Sequence, residues 1–384
     1  MRGRVLAIDG DHAIVRGERG DARVPAAPGW RPGDLVDRRE LARPFGAGEF
    51  PEPGTETARL PRSRLEFLQV RARALAALRA FFADRDFVEV ETPLLVPSPG
   101  LEIHLDAVAA GGGFLITSPE YQMKRLLAGG FERIYQVCKC FRGNERGPHH
   151  AGEFTMVEWY RAFAELDDIV RDTERLVAYV IESVTGSMTA RLGDREIDVT
   201  PPWPRMSVRE VMRRWASIEL AGDESAAALV AKVRAIGIEL ADETAWDDAF
   251  FAAFLARVEP AIAALDRPLI LEDWPAPLAA LARRRADDPR IALRFEAYVG
   301  GLELGNAFGE LTDPVEQRAR FEEELRTRAA RGRAQYPIDE KLLAALAEGL
   351  PPSAGIALGF DRLVMLATGA SSIDQVLTFT AAEL

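Results

Sequence analysis

The sequence predicts an α+β fold in which a mostly antiparallel sheet is flanked by helices and preceded by a small N-terminal β unit. Three observations carry this reading. Residues 134–160 and 294–310 each read as two runs of strand character joined by turn chemistry, the first through a polar loop rich in Gly, Arg and His, the second through Gly300-Gly301. Helical periodicity is strong at 62–84 and 166–184, outside those hairpins. No strand–helix–strand rhythm runs along the chain, which argues against a doubly wound parallel sheet.

In chain order, residues 4–8 and 12–16 flank Asp9-Gly10-Asp11 as a hairpin, and further strands are expected at 22–25 and after Gly33-Asp34. These make a β unit over 1–45 of four short strands. The composition then turns to Pro, Gly, Glu and Thr without periodicity, a linker over 46–61. The remainder, 62–384, reads as one large domain. An amphipathic helix at 62–84 leads into a strand over 87–95 that meets Pro93, the mark of an edge or an interface. After a strand at 114–117, Ser118-Pro119-Glu120 starts a helix that ends at Gly129-Gly130. Beyond the first hairpin the chain predicts the helix at 166–184, a polar hairpin around Gly193, and two or three helices between 207 and 265. A strand at 269–272, the second hairpin, helices at 313–331 and 339–348, and a glycine-bounded strand running into a final helix near 360–368 close it.

Composition narrows the classes. With 384 residues the chain can bury a sizeable core, and it carries no apolar run of membrane-spanning length, so a cytoplasmic protein with no membrane partner is expected. The net charge of −12 argues against broad electrostatic binding to nucleic acid. The basic runs at 283–285 and at Arg326, Arg328, Arg331 and Arg333 read as solvated helix faces. Only two cysteines are present, Cys138 and Cys140, alternate on one strand; they read as buried small apolar groups, and a structural zinc site is not expected.

Both hairpins carry chemistry on one face. Period-2 alternation places Gln136, Cys138, Cys140 and Arg142 together on the first strand, and Phe154, Met156, Glu158 and Tyr160 together on the next. A face ending in an arginine, a carboxylate and a phenol suits a small charged ligand better than a dry core. In the second hairpin, pairing Val299 with Leu302 sets Tyr298 against Glu303 and Glu296 against Gly305, so Glu296 and Glu303 share a face within reach of one cation, with Mg²⁺ suited to oxygen ligands. Asn306, Phe308 and Glu310 then fall out of parity with Glu303. A bulge at Gly305 restores it and is predicted. Near the end of the chain Gly359 allows close backbone approach beside Arg362, whose planar fork suits phosphate.

Taken together, residues 87–93, 141–160 and 355–366 resemble the three signature motifs of class II aminoacyl-tRNA synthetases. Within that class SPEYQMKRLLAGGFERIYQV (118–137), EFTMVEWY (153–160), ELGN (303–306) and GIALGFDRLVML (355–366) are similar to lysyl-tRNA synthetases. Residues 100–105, 158–161, 310–313, 329–332 and 337–339 are closer still to the truncated paralogues that attach (R)-β-lysine to a lysine of elongation factor P. The resemblance implies a catalytic domain over 62–384 built on a six- to seven-stranded antiparallel sheet, and a homodimer formed through the first motif. It implies ATP and Mg²⁺ as cofactors, β-lysine or lysine as small-molecule substrate, and elongation factor P as protein acceptor.

Carried over by position, the resemblance makes Arg142 and Arg362 catalytic phosphate ligands. Glu145, His150 and Phe154 would address ATP, with Glu296 and Glu303 on the metal. Glu120 would bind the substrate amino group near its carboxylate; Glu158, Tyr160 and Glu310 would hold the distal ammonium, with Asn306, Phe308 and Gly305 beside it. The chain departs from the family at Gly143, which lengthens the usual Phe-Arg-Asn-Glu, and at Ala151-Gly152, where Asn-Pro is usual. Gly305 matches the synthetases and not the ligases, and Ala307 stands where both have glycine, so the choice between α- and β-lysine stays open. An anticodon barrel needs about a hundred residues, more than 1–60 supplies, so tRNA is not the expected acceptor. A lysyl-tRNA synthetase-like enzyme charging tRNA, and a non-catalytic paralogue acting as a regulator, are the alternatives.

Overall fold

The computed structural model describes residues 2–17, 20–37, 40–41 and 62–384. They group into two compact units, Met1–Ala72 with Asp374–Leu384, and Arg73–Ile373. The linker expected over 46–61 lies outside the described residues.

The first unit is built on β1 (Arg2–Asp9), β2 (His12–Gly17), β3 (Gly20–Pro25), β4 (Leu35–Asp37) and β5 (Glu40–Leu41), paired antiparallel in the order β3-β2-β1-β4-β5. Asp9 pairs with His12 across the expected turn, where Gly10 takes a φ of 56°. Inward positions bury Val5, Ala13, Val15 and Val36 around Trp30. Five strands form, one more than the sequence reading gave, because β5 adds to β4 through Val36 and Leu41. Helix α1 (Arg62–Ala83) follows.

The second unit continues with β6 (Val88–Glu89), β7 (Leu95–Val96), β8 (Ala109–Ala110), β9 (Gly113–Leu115), α2 (Glu120–Ala128), β10 (Arg133–Phe141), β11 (Glu153–Ala162) and α3 (Leu166–Thr185). Next come β12 (Thr189–Leu192), β13 (Arg195–Asp198), β14 (Arg205–Ser207), α4 (Val208–Ala216), α5 (Ala226–Ala235) and α6 (Trp246–Ala253). A π-helical turn, Phe254–Val258, joins α6 to α7 (Glu259–Ala263). The unit is completed by β15 (Leu269–Pro275), β16 (Ile291–Val299), β17 (Leu302–Gly309), α8 (Pro314–Ala330), α9 (Glu340–Gly349), β18 (Ser353–Gly359) and α10 (Phe360–Thr368).

Its sheet has eight strands in the order β14-β15-β16-β17-β18-β11-β10-β6. The six central strands run antiparallel to their neighbours, giving the mostly antiparallel sheet expected, and only the short outer strands β14 and β6 add in parallel. The strand expected over 87–95 breaks into β6 and β7, which belong to different sheets. Between them Pro93 has no N–H to give a ladder, and the Thr92 N–H is spent on the Gln136 side chain at 3.1 Å.

One sheet face is dry. Trp159 and Tyr135 lie on it, and Phe82 of α1 stacks on Tyr135 at a ring separation of 4.3 Å. Helix α3 buries Ile169, Thr173, Leu176, Val177, Val180 and Ile181, all on one stripe at helical spacing, and packs with α10 against the sheet. The other face is polar and carries the site. The basic run at the end of α8 departs from its reading as a solvated face: Arg328 falls on the same stripe as Phe321 and is fully buried. Its guanidinium donates to the carbonyls of Glu102, Leu105 and Ala334 at 2.8 Å each, pairs with Asp106 at 3.0 Å and lies over the Tyr336 ring. Loop carbonyls need donors once they are covered, and Arg328 supplies them.

Candidate active site

The polar face is set by strand register. Across β11, β18, β17 and β16 one row reads Glu158, Ala357, Asn306, Glu296, and the next reads Tyr160, Gly355, Phe308, Arg294. Beyond Ser353 at its start, strand β18 contributes Gly355, Ala357 and Gly359 to this face, leaving a floor that a ligand can lie on. Gly355 is required by packing, since a Cβ there would sit 2.2 Å from the Tyr160 ring. The bulge forms one residue earlier than expected: Gly305 is paired with Ala297 and Glu303 with Tyr298, so Leu304 and not Gly305 is the additional residue. It brings Glu303 and Asn306 to one face, and it moves the partner of Glu296 to Asn306 instead of Gly305. A cavity of about 740 Å³ opens above, within the range of small-molecule sites.

At one end the cavity is lined by Arg142, Glu145, His150, Phe154 and Arg362. Arg142 leaves β10 beside β11 and lies 5.0 Å over the Phe154 ring. Its Nε is buried without a hydrogen-bond partner, an orphan donor of the kind a bound anion satisfies. The lengthened loop is accommodated locally. Gly143 bonds back to the Asp106 carbonyl at 2.6 Å, Asn144 takes a left-handed φ of 62°, and Glu145 then returns to 3.6 Å from both Arg142 and His150. Arg362, on the first turn of α10, donates to the Glu303 carbonyl and the His149 carbonyl and meets His150 Nε2 at 2.7 Å. Burial and the Arg362 charge lower the His150 pKa, so the ring is neutral at pH 7.

In the middle stand Glu296 and Glu303. Glu296 is buried, with one oxygen 2.6 Å from Arg294 and the other 2.6 Å from the Tyr298 hydroxyl. Burial and the nearby Glu303 push its carboxyl up to about 7, opposed by Arg294. Two carboxylates that repel on one face fit a hard cation completed by ligand oxygens. Arg294 also donates to Asn306 at 3.1 Å and lies 4.3 Å over Trp274, tying both rows together.

At the far end lies an acidic nest. Glu158, Tyr160 and Glu310 are buried and are not among the residues lining the open cavity, whereas Glu120, Ser118, Asn306, Phe308 and Gly305 are. Glu158 accepts from Ser118 at 2.5 Å and from Tyr160 at 3.0 Å. Lys124, one turn into α2, reaches Glu120 and Glu310 at 2.6 Å each. Burial pushes the carboxyl of Glu158 well above its ordinary range, with Glu120 adding to the effect. Burial likewise raises Glu310, to about 8, against the pull of Lys124. Glu310 Oε1 is buried without a hydrogen-bond partner. Gly305 lines the cavity through backbone, because a Cβ there would point at Ile356 and the Ala357 carbonyl, each 3.0 Å away.

Lys124, Arg294, Tyr298 and Ser118 belong to this site and were not read from the sequence. Parity held the signal for two of them: Arg294 and Tyr298 share the strand face of Glu296. Lys124 occupies the inward stripe of α2 with Glu120, Met123 and Leu127. The cysteines also need correction. Cys140 is buried, but Cys138 is only partly so, and the two free thiols lie on the site face in a weak sulfur–sulfur hydrogen bond of 3.9 Å.

Comparison with known proteins bears on this geometry. The family model described as tRNA synthetases class II (D, K and N) matches residues 58–383. A lysine–tRNA ligase of Dehalococcoides mccartyi is 37% identical over 326 residues, 83% of this chain, and the chain spans 64% of that protein's length. Elongation factor P–(R)-β-lysine ligases of Klebsiella pneumoniae and Erwinia tasmaniensis are 40% and 39% identical over 331 residues, 83% of this chain and 96% of theirs. With this family model matching most of the chain and these relatives at 37–40% identity, the chain belongs to the class II tRNA synthetases of the D, K and N group.

Proposed function

We propose that this protein is an ATP-dependent ligase that activates (R)-β-lysine or lysine as the adenylate and transfers it to a lysine side chain of elongation factor P. The observation that carries the reading is the charge of the nest. Glu120, Glu158 and Glu310 offer three carboxylates and Lys124 one ammonium, a set that two further ammonium groups would neutralise. A diamino monocarboxylic acid brings two, and its carboxylate faces the arginine end. Buried charges without partners are costly, so a nest of this composition discriminates strongly for such a ligand.

In this reading Phe154 stacks on adenine beneath Arg142, and Glu145 and His150 border the nucleotide. Arg142 holds the α-phosphate and Arg362 the γ-phosphate. Glu296 and Glu303 would hold Mg²⁺, which neutralises charge on the phosphate oxygens. Glu120 takes the amino group near the reacting carboxylate, and Glu158, Tyr160 and Glu310 take the distal ammonium beside Asn306 and Phe308. One carboxylate oxygen of the amino acid attacks the α-phosphorus, the bond to the bridging oxygen of the β-phosphate breaks, and pyrophosphate leaves. An acceptor amine then attacks the acyl carbon and displaces AMP, losing its proton as the amide forms. The residues named orient and stabilise charge without forming covalent bonds.

A protein acceptor is supported by the relatives named for elongation factor P, which align over 96% of their length. Dimerisation through the first motif is supported by Val88, Leu94 and Leu95, apolar and exposed in the segment around Pro93. No helix among the described residues is long and apolar enough to cross a membrane. ATP–pyrophosphate exchange dependent on lysine or β-lysine tests the activation step; exchange with neither would remove the ligase reading and favour a regulatory paralogue.

A further inference from the structure

Lys124 has no part in the activation chemistry, yet it is one of the largest fully buried side chains among the described residues. A lysine on a surface helix ordinarily keeps its ammonium in water, letting only the stem lie on apolar surface. Here the ammonium itself is inside. Its Nζ lies 2.6 Å from Glu120 Oε1, on its own helix, and 2.6 Å from Glu310 Oε2, just beyond the end of β17. These two carboxylates face the two ends of the nest: Glu120 lines the open cavity, while Glu310 is sealed beneath it and keeps an unpartnered Oε1.

We propose that Lys124 is a specificity-determining residue: by gripping Glu120 and Glu310 with one nitrogen, it fixes the distance between the sites for the two substrate amines and so measures the chain length of the diamine. The inference rests on the ligase reading given above. A single ammonium 2.6 Å from both carboxylates allows little variation in their separation: it donates a hydrogen bond to Glu120 and forms a close ion pair with Glu310. The candidate substrates differ in that separation. In lysine five carbons lie between the two nitrogens; in (R)-β-lysine, as in ornithine, there are four. Helix α2 carries both Glu120 and Lys124 one turn apart, so the distance is set by a rigid element and a strand end, with no loop between. Lys124 does not touch the reacting atoms; it acts through the carboxylates that hold the substrate.

The test uses the full-length enzyme. Pyrophosphate exchange is measured with lysine, (R)-β-lysine and ornithine for the wild type and for Lys124→Arg, which keeps the charge and enlarges the gripping group. The expected result is a change of about tenfold in the kcat/KM ratio of the five-carbon to the four-carbon spacing, toward the longer, carried by KM for the amino acid with KM for ATP unchanged. A ratio within twofold of the wild type in a folded variant would overturn the proposal, because a purely structural ion pair would lower all substrates alike. A second measurement needs no variant. Simple α,ω-diamines of three to six carbons are assayed as inhibitors of wild-type exchange, and the proposal expects one length to inhibit about tenfold better than its neighbours, whereas a flat series would overturn it. Wild-type exchange with none of the amino acids would instead defeat the ligase reading, and the proposal with it.

Discussion

Glu158 shows what the site asks of one residue. It is fully buried, its two oxygens are held by Ser118 and Tyr160, and no basic side chain among the described residues lies at hydrogen-bond distance from it. A ligand ammonium would complete it. Glu158→Gln keeps the shape and removes the charge, and it is expected to raise KM for the amino acid at least about 30-fold while leaving KM for ATP within a few-fold, measured by pyrophosphate exchange. The nest also makes binding depend on pH. In the empty site the Glu310 carboxyl is raised to about 8, so below that pH it holds a proton that an arriving ammonium must displace. KM for the amino acid should therefore fall as pH rises from about 7 to about 9, then level, and Glu310→Gln should flatten that part of the profile. A KM that rises over this range would contradict the assignment.

Among the elements, β18 and α8 make the clearest predictions. Gly355→Ala places a methyl where the Tyr160 ring lies, so the ring must move and its hydrogen bond to Glu158 must break. About 1–3 kcal/mol of stability should be lost in urea unfolding, with weakened amino-acid use and preserved ATP binding. Arg328→Met leaves the carbonyls of Glu102, Leu105 and Ala334 without their donor, and about 3 kcal/mol should be lost in the same assay. These elements also show how far pattern alone reaches. Alternation set the faces of β10 and β11 correctly, because the two faces differ in chemistry, Tyr135 and Trp159 on one and Gln136, Glu158 and Tyr160 on the other, and a one-residue slip would reverse both. The bulge followed from the parity conflict between Glu303 and Asn306, which only an additional residue could resolve. Lys124 and Arg328 were hidden because a cation on an inward stripe reads as an exposed one until its tertiary partners, Glu310 and Asp106, are in place. The break at Pro93 was visible, but its consequence was not, since it depends on the Gln136 side chain of a distant strand.

At the scale of the molecule, two charged half-sites face each other across one floor. Arg142 and Arg362 lie at one end; Glu120, Glu158 and Glu310 lie at the other. A reaction that joins a triphosphate to a diamino acid places its carboxylate between them. ATP and the amino acid together should raise the melting temperature more than either alone, because each fills charge left uncompensated by the other's half-site. The proposed acceptor is tested by product mass. The enzyme, ATP and Mg²⁺ are incubated with each lysine isomer in the presence of both purified elongation factor P and tRNA, and the products are weighed. The expected product is elongation factor P heavier by one lysyl group on a lysine side chain, with the tRNA uncharged; aminoacylated tRNA beside unmodified elongation factor P would refute the protein-ligase assignment.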